Sequence, residues 1–277
     1  MKEAKLMHAR NALLSFALAG LLVAGGCGDD ARRAAQDDAT PPVAAGEPQP
    51  AAQREARAAE TGCDALPSAD ELRRLLGEAP DAGDAGGLFG GRKEWVATVN
   101  RSGELCAVVV STDDPAAAWP GSQAIAKAKA YTANAFSTDD TPLSTARLYT
   151  MTQPGHSLYG LHAANPMHPD CLAAPDEHRD AERRICGGII TFGGGVPLYR
   201  DGKRVGGLGA SGDTACADHE IAKRIRDKAG LNPPGGPGAD DITYASSDGA
   251  TPFTHPLCAN TWRDGQQIGD ESPASGY

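Results

Sequence analysis

The sequence predicts an α+β domain: an antiparallel sheet of about five strands flanked by helices, then a long irregular C-terminal extension. Three observations predict it. Strand and helix patterns follow one another without the strict alternation that builds a parallel sheet. Two pairs of β-prone runs are joined by short turn sequences. The 277 residues include 34 Gly and 20 Pro, which favours many turns and few long helices. Aromatic residues make up only 5%, so the core must be built from Ala, Val, Ile and Leu.

Ser68, with Glu71 three residues on, fits a capping box and starts a short helix through Leu72, Leu75 and Leu76. Residues 81–92 are rich in Gly and Asp and read as a loop. Trp95–Val99 and Leu105–Val110 are β-prone runs flanking Asn100-Arg101-Ser102-Gly103-Glu104, a hairpin signal. In Ser122–Phe136 apolar residues recur every three to four positions, and the many Ala allow close packing. Residues 141–150 read as another short helix and 153–171 as an irregular, His-containing loop. Gly188–Phe192, Val196–Tyr199 and Arg204–Ala210 read as strands, the last two joined around Asp201-Gly202, a strong two-residue turn. Asp213 or Thr214 then caps a helix running to about Ala229. Its acidic residues fall early and its basic ones late, which complements the helix dipole. Gly230 closes it and Pro233-Pro234 prevents continuation.

The chain's start is an address. Lys2, Lys5 and Arg10 precede an apolar run, and Gly25-Gly26-Cys27 follows. This is a secretory signal over residues 1–26, and a Cys after small residues narrows it to a lipoprotein signal. Cys27 would carry the lipid, diacylglycerol with palmitate among the acyl chains. Residues 27–62, rich in Ala and Pro, cannot bury enough apolar area to offset chain entropy and read as a disordered tether. Residues 63–277 form one globular domain, with its core at 95–231 and an extension at 232–277. The expected location is the periplasmic side of a bacterial envelope, at the outer membrane. A net charge of −10 without a basic cluster excludes nucleic acid as a partner class.

With Cys27 lipidated, Cys63, Cys106, Cys171, Cys186, Cys216 and Cys258 remain. An even number in an exported chain reads as three disulfides, and fifteen pairings are open. Cys63 with Cys106, Cys171 with Cys186 across the charged loop 174–184, and Cys216 with Cys258 form a plausible set. The rival is a Cys/His metal site, although no C-x-x-C is present.

Gly207-Leu208-Gly209-Ala210-Ser211-Gly212 matches G-x-G-x-x-G between a strand and a helix. Dinucleotide binding is rejected, because Leu231-Asn232-Pro233-Pro234 cannot supply the next parallel strand. Two readings are left. The glycines let a helix pack tightly on the sheet, or a bare strand leaves room for a flat ligand. Ser211 beside Asp213, Asp218 and Glu220 could serve an enzyme acting on a small anionic substrate. Carboxylates at a helix N-terminus have an electrostatic reason to be there without that role. His156, His162 and His168 share one loop, His178 and His255 lie further on, and His219 sits one turn into the last helix. Any could give a nitrogen to haem iron.

Lys129-Ala130-Tyr131-Thr132-Ala133, Gly194-Gly195-Val196-Pro197-Leu198, Asp201-Gly202, the run from Val205 to Gly212, and Asp218-His219-Glu220-Ile221-Ala222 together resemble the GlcG/HbpS-like haem-binding family. The resemblance spans about 95–231 and is most specific from Gly194 to Ala222. It implies a compact α+β domain with profilin-like layering, frequent homo-oligomers, and, in parts of the family, haem or a corrinoid-related role. The six Cys, the long loop 150–187 and the extension depart from the family. On this basis the expected function is a membrane-anchored lipoprotein that binds haem or a similar flat cofactor for capture, storage or sensing. The expected cofactor-binding residues are His156, His162, His219, Gly207, Gly209, Ser211 and Gly212. The alternatives are the Ser211 enzyme and a structural envelope lipoprotein.

Overall fold

The structure is a computed structural model that describes residues 62–172 and 184–273. The expected signal segment, Cys27, most of the tether and His178 lie outside the described residues.

Helix α1 (Ala69–Glu78) starts where the Ser68 hydroxyl accepts the Glu71 N–H at 3.2 Å. Only half of the capping box forms, because the Glu71 carboxylate pairs with Arg74 instead. Strands β1 (Trp95–Asn100) and β2 (Leu105–Val110) make the first hairpin. In its turn the Asn100 side-chain oxygen accepts the N–H groups of Ser102 and Glu104, both at 3.0 Å, and Gly103 takes φ +87°. Helix α2 spans Ser122–Ala135. Strands β3 (Gly195–Arg200) and β4 (Lys203–Ser211) form the second hairpin. Its turn residues Asp201 and Gly202 both have positive φ, as an Asp-Gly two-residue turn requires. Helix α3 (Ala215–Lys228) is capped by Thr214, whose hydroxyl accepts the Ala217 N–H.

The sheet is antiparallel with order β2-β1-β4-β3. Side-chain alternation along the strands separates two cores. Val96, Leu208 and Ala210 pack with Leu72 and Leu76 of α1 and Ile221 and Ile225 of α3. Trp95, Ala97 and Val99 face Ala126 and Ala130 of α2. The sheet thus lies between α2 on one side and α1 with α3 on the other.

The main sheet has four strands rather than about five. Gly188–Phe192, expected as a strand, is irregular. Gly187, Gly188 and Gly194 bracket it with positive φ, and the Ile190 N–H is taken by the Thr132 hydroxyl of α2 at 3.0 Å instead of a neighbouring strand. Residues 141–150 form 3-10 turns rather than a helix. The extension is more ordered than its sequence suggests. It carries the short pairs β5 (Thr243–Tyr244) with β6 (Thr254–His255), and β7 (Thr261–Arg263) with β8 (Gln266–Gly269). Ile242 and Tyr244 build a small core with Cys216 and Cys258. A buried bidentate pair, Arg226 with Asp240 at 2.8 and 3.0 Å, fixes the extension to α3.

The three disulfides are Cys63–Cys106, Cys171–Cys186 and Cys216–Cys258, the set singled out from the sequence. No helix among the described residues is long and apolar enough to cross a membrane.

Candidate functional site

The glycine ribbon was one place to look for a ligand, and the structure closes it. A Cβ on Gly209 would overlap the carbonyl oxygen of Ala126, and one on Gly207 the carbonyl oxygen of Ala130. Those two alanines lie one helical turn apart on α2, so the helix backbone sits directly on β4. Gly212 is equally tight against the Lys93 carbonyl. These glycines serve close helix–sheet packing, and the flat-ligand reading of Gly207, Gly209 and Gly212 is corrected accordingly.

The polar groups at the end of β4 are also committed. Asp213 accepts the N–H groups of Leu88, Phe89 and Gly91 at 2.6, 2.8 and 3.1 Å. Asp218 accepts those of Gly212 and Asp213, and pairs with the Lys129 ammonium at 2.6 Å. Lys129 also donates to the Ala210 carbonyl at 2.9 Å. Glu94 is fully buried beside them. Burial first, and the Asp218 charge second, push its carboxyl well above the ordinary glutamate range. Ser211 is buried next to this cluster. His219 is buried too, with Nε2 3.3 Å from Asp241 and Nδ1 facing the Gly194 N–H at 3.5 Å. Asp241 sits well below the usual carboxylate range. Its own burial opposes that shift, and the neighbouring His219 and Lys223 outweigh the burial. Glu220 pairs with Lys223 at 2.9 Å. Two of the expected enzyme carboxylates, Asp213 and Asp218, thus have their oxygens occupied by backbone N–H groups and Lys129, and the third, Glu220, is ion-paired with Lys223 through Oε1 and accepts the Asp264 N–H at Oε2.

The concavity lies on the opposite face of α2. A cavity of about 610 Å³ is lined by Ala124, Ile125 and Ala128 of the helix and by the segments 149–167 and 188–192, with Leu172 beside them. It is mainly apolar, through Tyr149, Tyr159, Met167, Ile189, Ile190 and Phe192. Its polar lining comes from Thr152, Gln153, His162, Asn165 and Thr191, and no Asp, Glu, Lys or Arg contributes. Three features hold the walls. The hydroxyls of Thr152 and Thr191 meet at 2.8 Å, joining one wall segment to the other. The Cys171–Cys186 disulfide and the His168 N–H bond to the Cys186 carbonyl at 2.7 Å tie the Met167–Leu172 side to the irregular run that follows Cys186. Behind the wall, the Lys129 ammonium lies 4.9 Å from the centre of the Phe192 ring. Tyr159 and Leu172 are largely exposed and border an open mouth.

Of the histidines expected to bind a cofactor, His162 lines this cavity, His156 is exposed outside it and His219 is buried away from it. The sequence reading missed Tyr149, Met167 and Phe192. For Phe192 a signal existed in the glycines at 187–188 and 193–195, which punctuate 189–192; Tyr149 and Met167 carried none.

A family model described as "Haem degrading protein HbpS-like" matches residues 85–226. The corrinoid adenosyltransferase PduO of Salmonella typhimurium (strain LT2) is 36% identical over 102 residues, which are 37% of this chain and 23% of PduO. The chain therefore spans about a quarter of that relative's length. A solved complex of PduOC with haem is 27% identical and superposes at a TM-score of 0.41, covering 58% of this chain and 91% of that one. A solved structure of HbpS is 21% identical, at a TM-score of 0.38, covering 58% and 85%.

Proposed function

The chain belongs to the HbpS-like family, and from that premise we propose that it binds haem, or a flat and largely apolar cofactor of the same kind, in the cavity on the outer face of α2. The observation that carries the reading is the lining itself. About 610 Å³ falls within the range of roughly 300–1,000 Å³ usual for ligand sites. The walls are apolar and without formal charge, and His162, Met167, Tyr149 and Tyr159 are of the side-chain types that ligate haem iron. When bound, the cofactor would supply the iron chemistry. The chain's own part is to enclose it: Phe192, Ile189 and Ile190 against one side, α2 beneath, and His162 or Met167 as the donor.

Titration of the purified chain with hemin tests this. A saturable Soret shift at one hemin per chain is expected, with the band moved or weakened in His162→Ala or Met167→Ala. A spectrum that does not saturate, or one that neither variant changes, overturns the site.

The same proposal includes tethering. Cys27 would hold the domain at the envelope through its lipid, with 27–62 as the spacer, which suits capture, storage or sensing outside the cytoplasm. Mass spectrometry of the protein from its native membrane should find Cys27 lipidated; an unmodified thiol ends that part. Self-association of the folded part belongs to the same reading, and sedimentation reads it directly.

A further inference from the structure

Among the described residues, one group of three metal-ligating side chains comes together: Cys216, Cys258 and His255, whose ligand atoms all lie within 4.8 Å of one another. All three are buried. The two sulfurs are joined in the structure. Their surroundings differ from those of the other two disulfides. Cys216 is the second residue of α3, a helix of 14 residues, and a helix N-terminus favours thiolate over thiol. The Cys216 N–H also donates to Cys258 Sγ at 3.2 Å, so the same helix end serves both sulfurs. Stabilising the thiolates of a reduced pair makes its disulfide easier to open.

The third member is prepared in the same direction. His255 Nδ1 lies 2.7 Å from the Pro256 carbonyl, which fixes that nitrogen as the N–H donor. The Nε2 lone pair is left as an acceptor, and the Gly193 N–H occupies it at 3.2 Å. With Nδ1 donating and Nε2 accepting, the ring is held in its neutral form. A neutral imidazole whose other nitrogen donates to a backbone carbonyl is the usual form of a metal-bound histidine. Metal binding needs two deprotonated thiols and one neutral imidazole; the helix end favours the thiolates once the disulfide is open, and the hydrogen bonds of His255 hold the neutral ring.

We propose that Cys216, Cys258 and His255 form a redox-gated site for a borderline divalent cation such as Zn²⁺, closed as a disulfide and opened by a dithiol. The dithiol's thiolate would attack the sulfur of Cys258, the less buried of the two residues, and release Cys216 as a thiolate at the helix N-terminus. The dithiol's second sulfur would then displace Cys258. Two electrons pass to the cysteines and the dithiol becomes a disulfide. The two protons of the dithiol end on the cysteine sulfurs or in solvent. Binding M²⁺ releases whatever protons the two thiols still hold, the Gly193 N–H gives up Nε2, and water fills the fourth position, as in open Cys₂His sites.

The experiment uses the full chain, reduced with a phosphine, desalted without oxygen and titrated with Co²⁺ as the probe. Differential alkylation reports which cysteines are free, and circular dichroism reports the fold. Expected are one Co²⁺ per reduced chain with a thiolate-to-cobalt charge-transfer band, and none for the oxidised chain. His255→Ala should weaken binding about tenfold or more, and Cys171→Ser/Cys186→Ser should keep the band. His255→Gln, which retains side-chain volume, gives the same reading if the alanine variant folds poorly. The proposal is overturned if Cys216 and Cys258 are free and no charge-transfer band forms. It is equally overturned if both His255 variants bind Co²⁺ like the wild type, or if reduction unfolds the chain and Co²⁺ does not restore it.

Discussion

Helix α2 is lined with small residues on both of its long faces, and the two faces have opposite fates. Toward the sheet, Ala126 and Ala130 meet Gly207 and Gly209, and nothing separates the backbones. Away from it, Ala124 and Ala128 meet a loop that cannot follow the helix surface, and a cavity of about 610 Å³ results. A small residue on a helix therefore gives close contact or a void according to its partner. A regular strand without side chains can approach along its whole length. An irregular segment, held by Thr132, by a disulfide and by a pair of threonine hydroxyls, touches only at points.

The strongest way to break the comparison is to put a side chain into the closed face. Gly209→Val would drive its Cβ into the Ala126 carbonyl and crowd the Ala130 N–H, both of them backbone that cannot swing aside. A loss of about 3 kcal/mol or more is expected, at the upper end of overpacking costs. Urea denaturation measures it. A variant as stable as the wild type would mean that the seam is loose and that the contrast between the faces is wrong.

Opening the Cys171–Cys186 disulfide attacks the other face. It spans 15 residues, and a loop of that length is held by about 3 kcal/mol in the chain-entropy account. Met167 and Leu172 line the cavity beside it, so Cys171→Ser/Cys186→Ser should lower hemin affinity as well as stability. Titration of the folded variant, with the fold checked by circular dichroism, separates the two effects. Unchanged affinity would place the ligand elsewhere.

Ala124→Leu and Ala126→Leu set the two faces against each other two residues apart. At 124 the new side chain enters the cavity, so stability should move by less than about 1 kcal/mol while hemin affinity falls about tenfold, equivalent to about 1.4 kcal/mol. At 126 it meets Gly209, and the variant should be destabilised by roughly 1–3 kcal/mol. Similar effects at the two sites would erase the distinction.

Most of the closed face was legible in the sequence, and most of the open face was not. The hairpin around Asn100–Glu104, the Asp201-Gly202 turn and the Thr214 cap are local chemistry. Each was readable because the residues that make the feature are adjacent in the chain. The period-two glycines of β4 carried both a packing reading and a ligand reading. The sequence could not choose between them, because the choice depends on Ala126 and Ala130, some eighty residues earlier in the chain. Gly188–Phe192 was misread as a strand because its composition is β-prone. What denies it a ladder is Thr132, a partner distant in sequence. The cavity is assembled from three such segments, and of its iron-ligating candidates only His162 was picked out beforehand.

The smallest expected effect tests whether the faces are as separate as their packing suggests. Glu94 lies under the seam beside Asp218 and Lys129, and Lys129 in turn stands behind Phe192 of the cavity wall. Because the folded state raises the Glu94 pKa, it holds a proton that the unfolded chain releases above about pH 4.3. That contribution to stability is complete below the unfolded value and fades as the pH climbs toward the folded one. Glu94→Gln keeps the neutral shape and cannot titrate. Its stability should match the wild type near pH 4 and exceed it near pH 7, as read from urea midpoints at the two pH values. A variant that loses ground as the pH rises would mean that Glu94 is ionised in the fold. If the faces act independently, hemin affinity should be the same for both proteins at each pH. A change in affinity alone would show that the buried charges reach the cavity through Lys129 and Phe192, and the closed seam would then be part of how the open face is tuned.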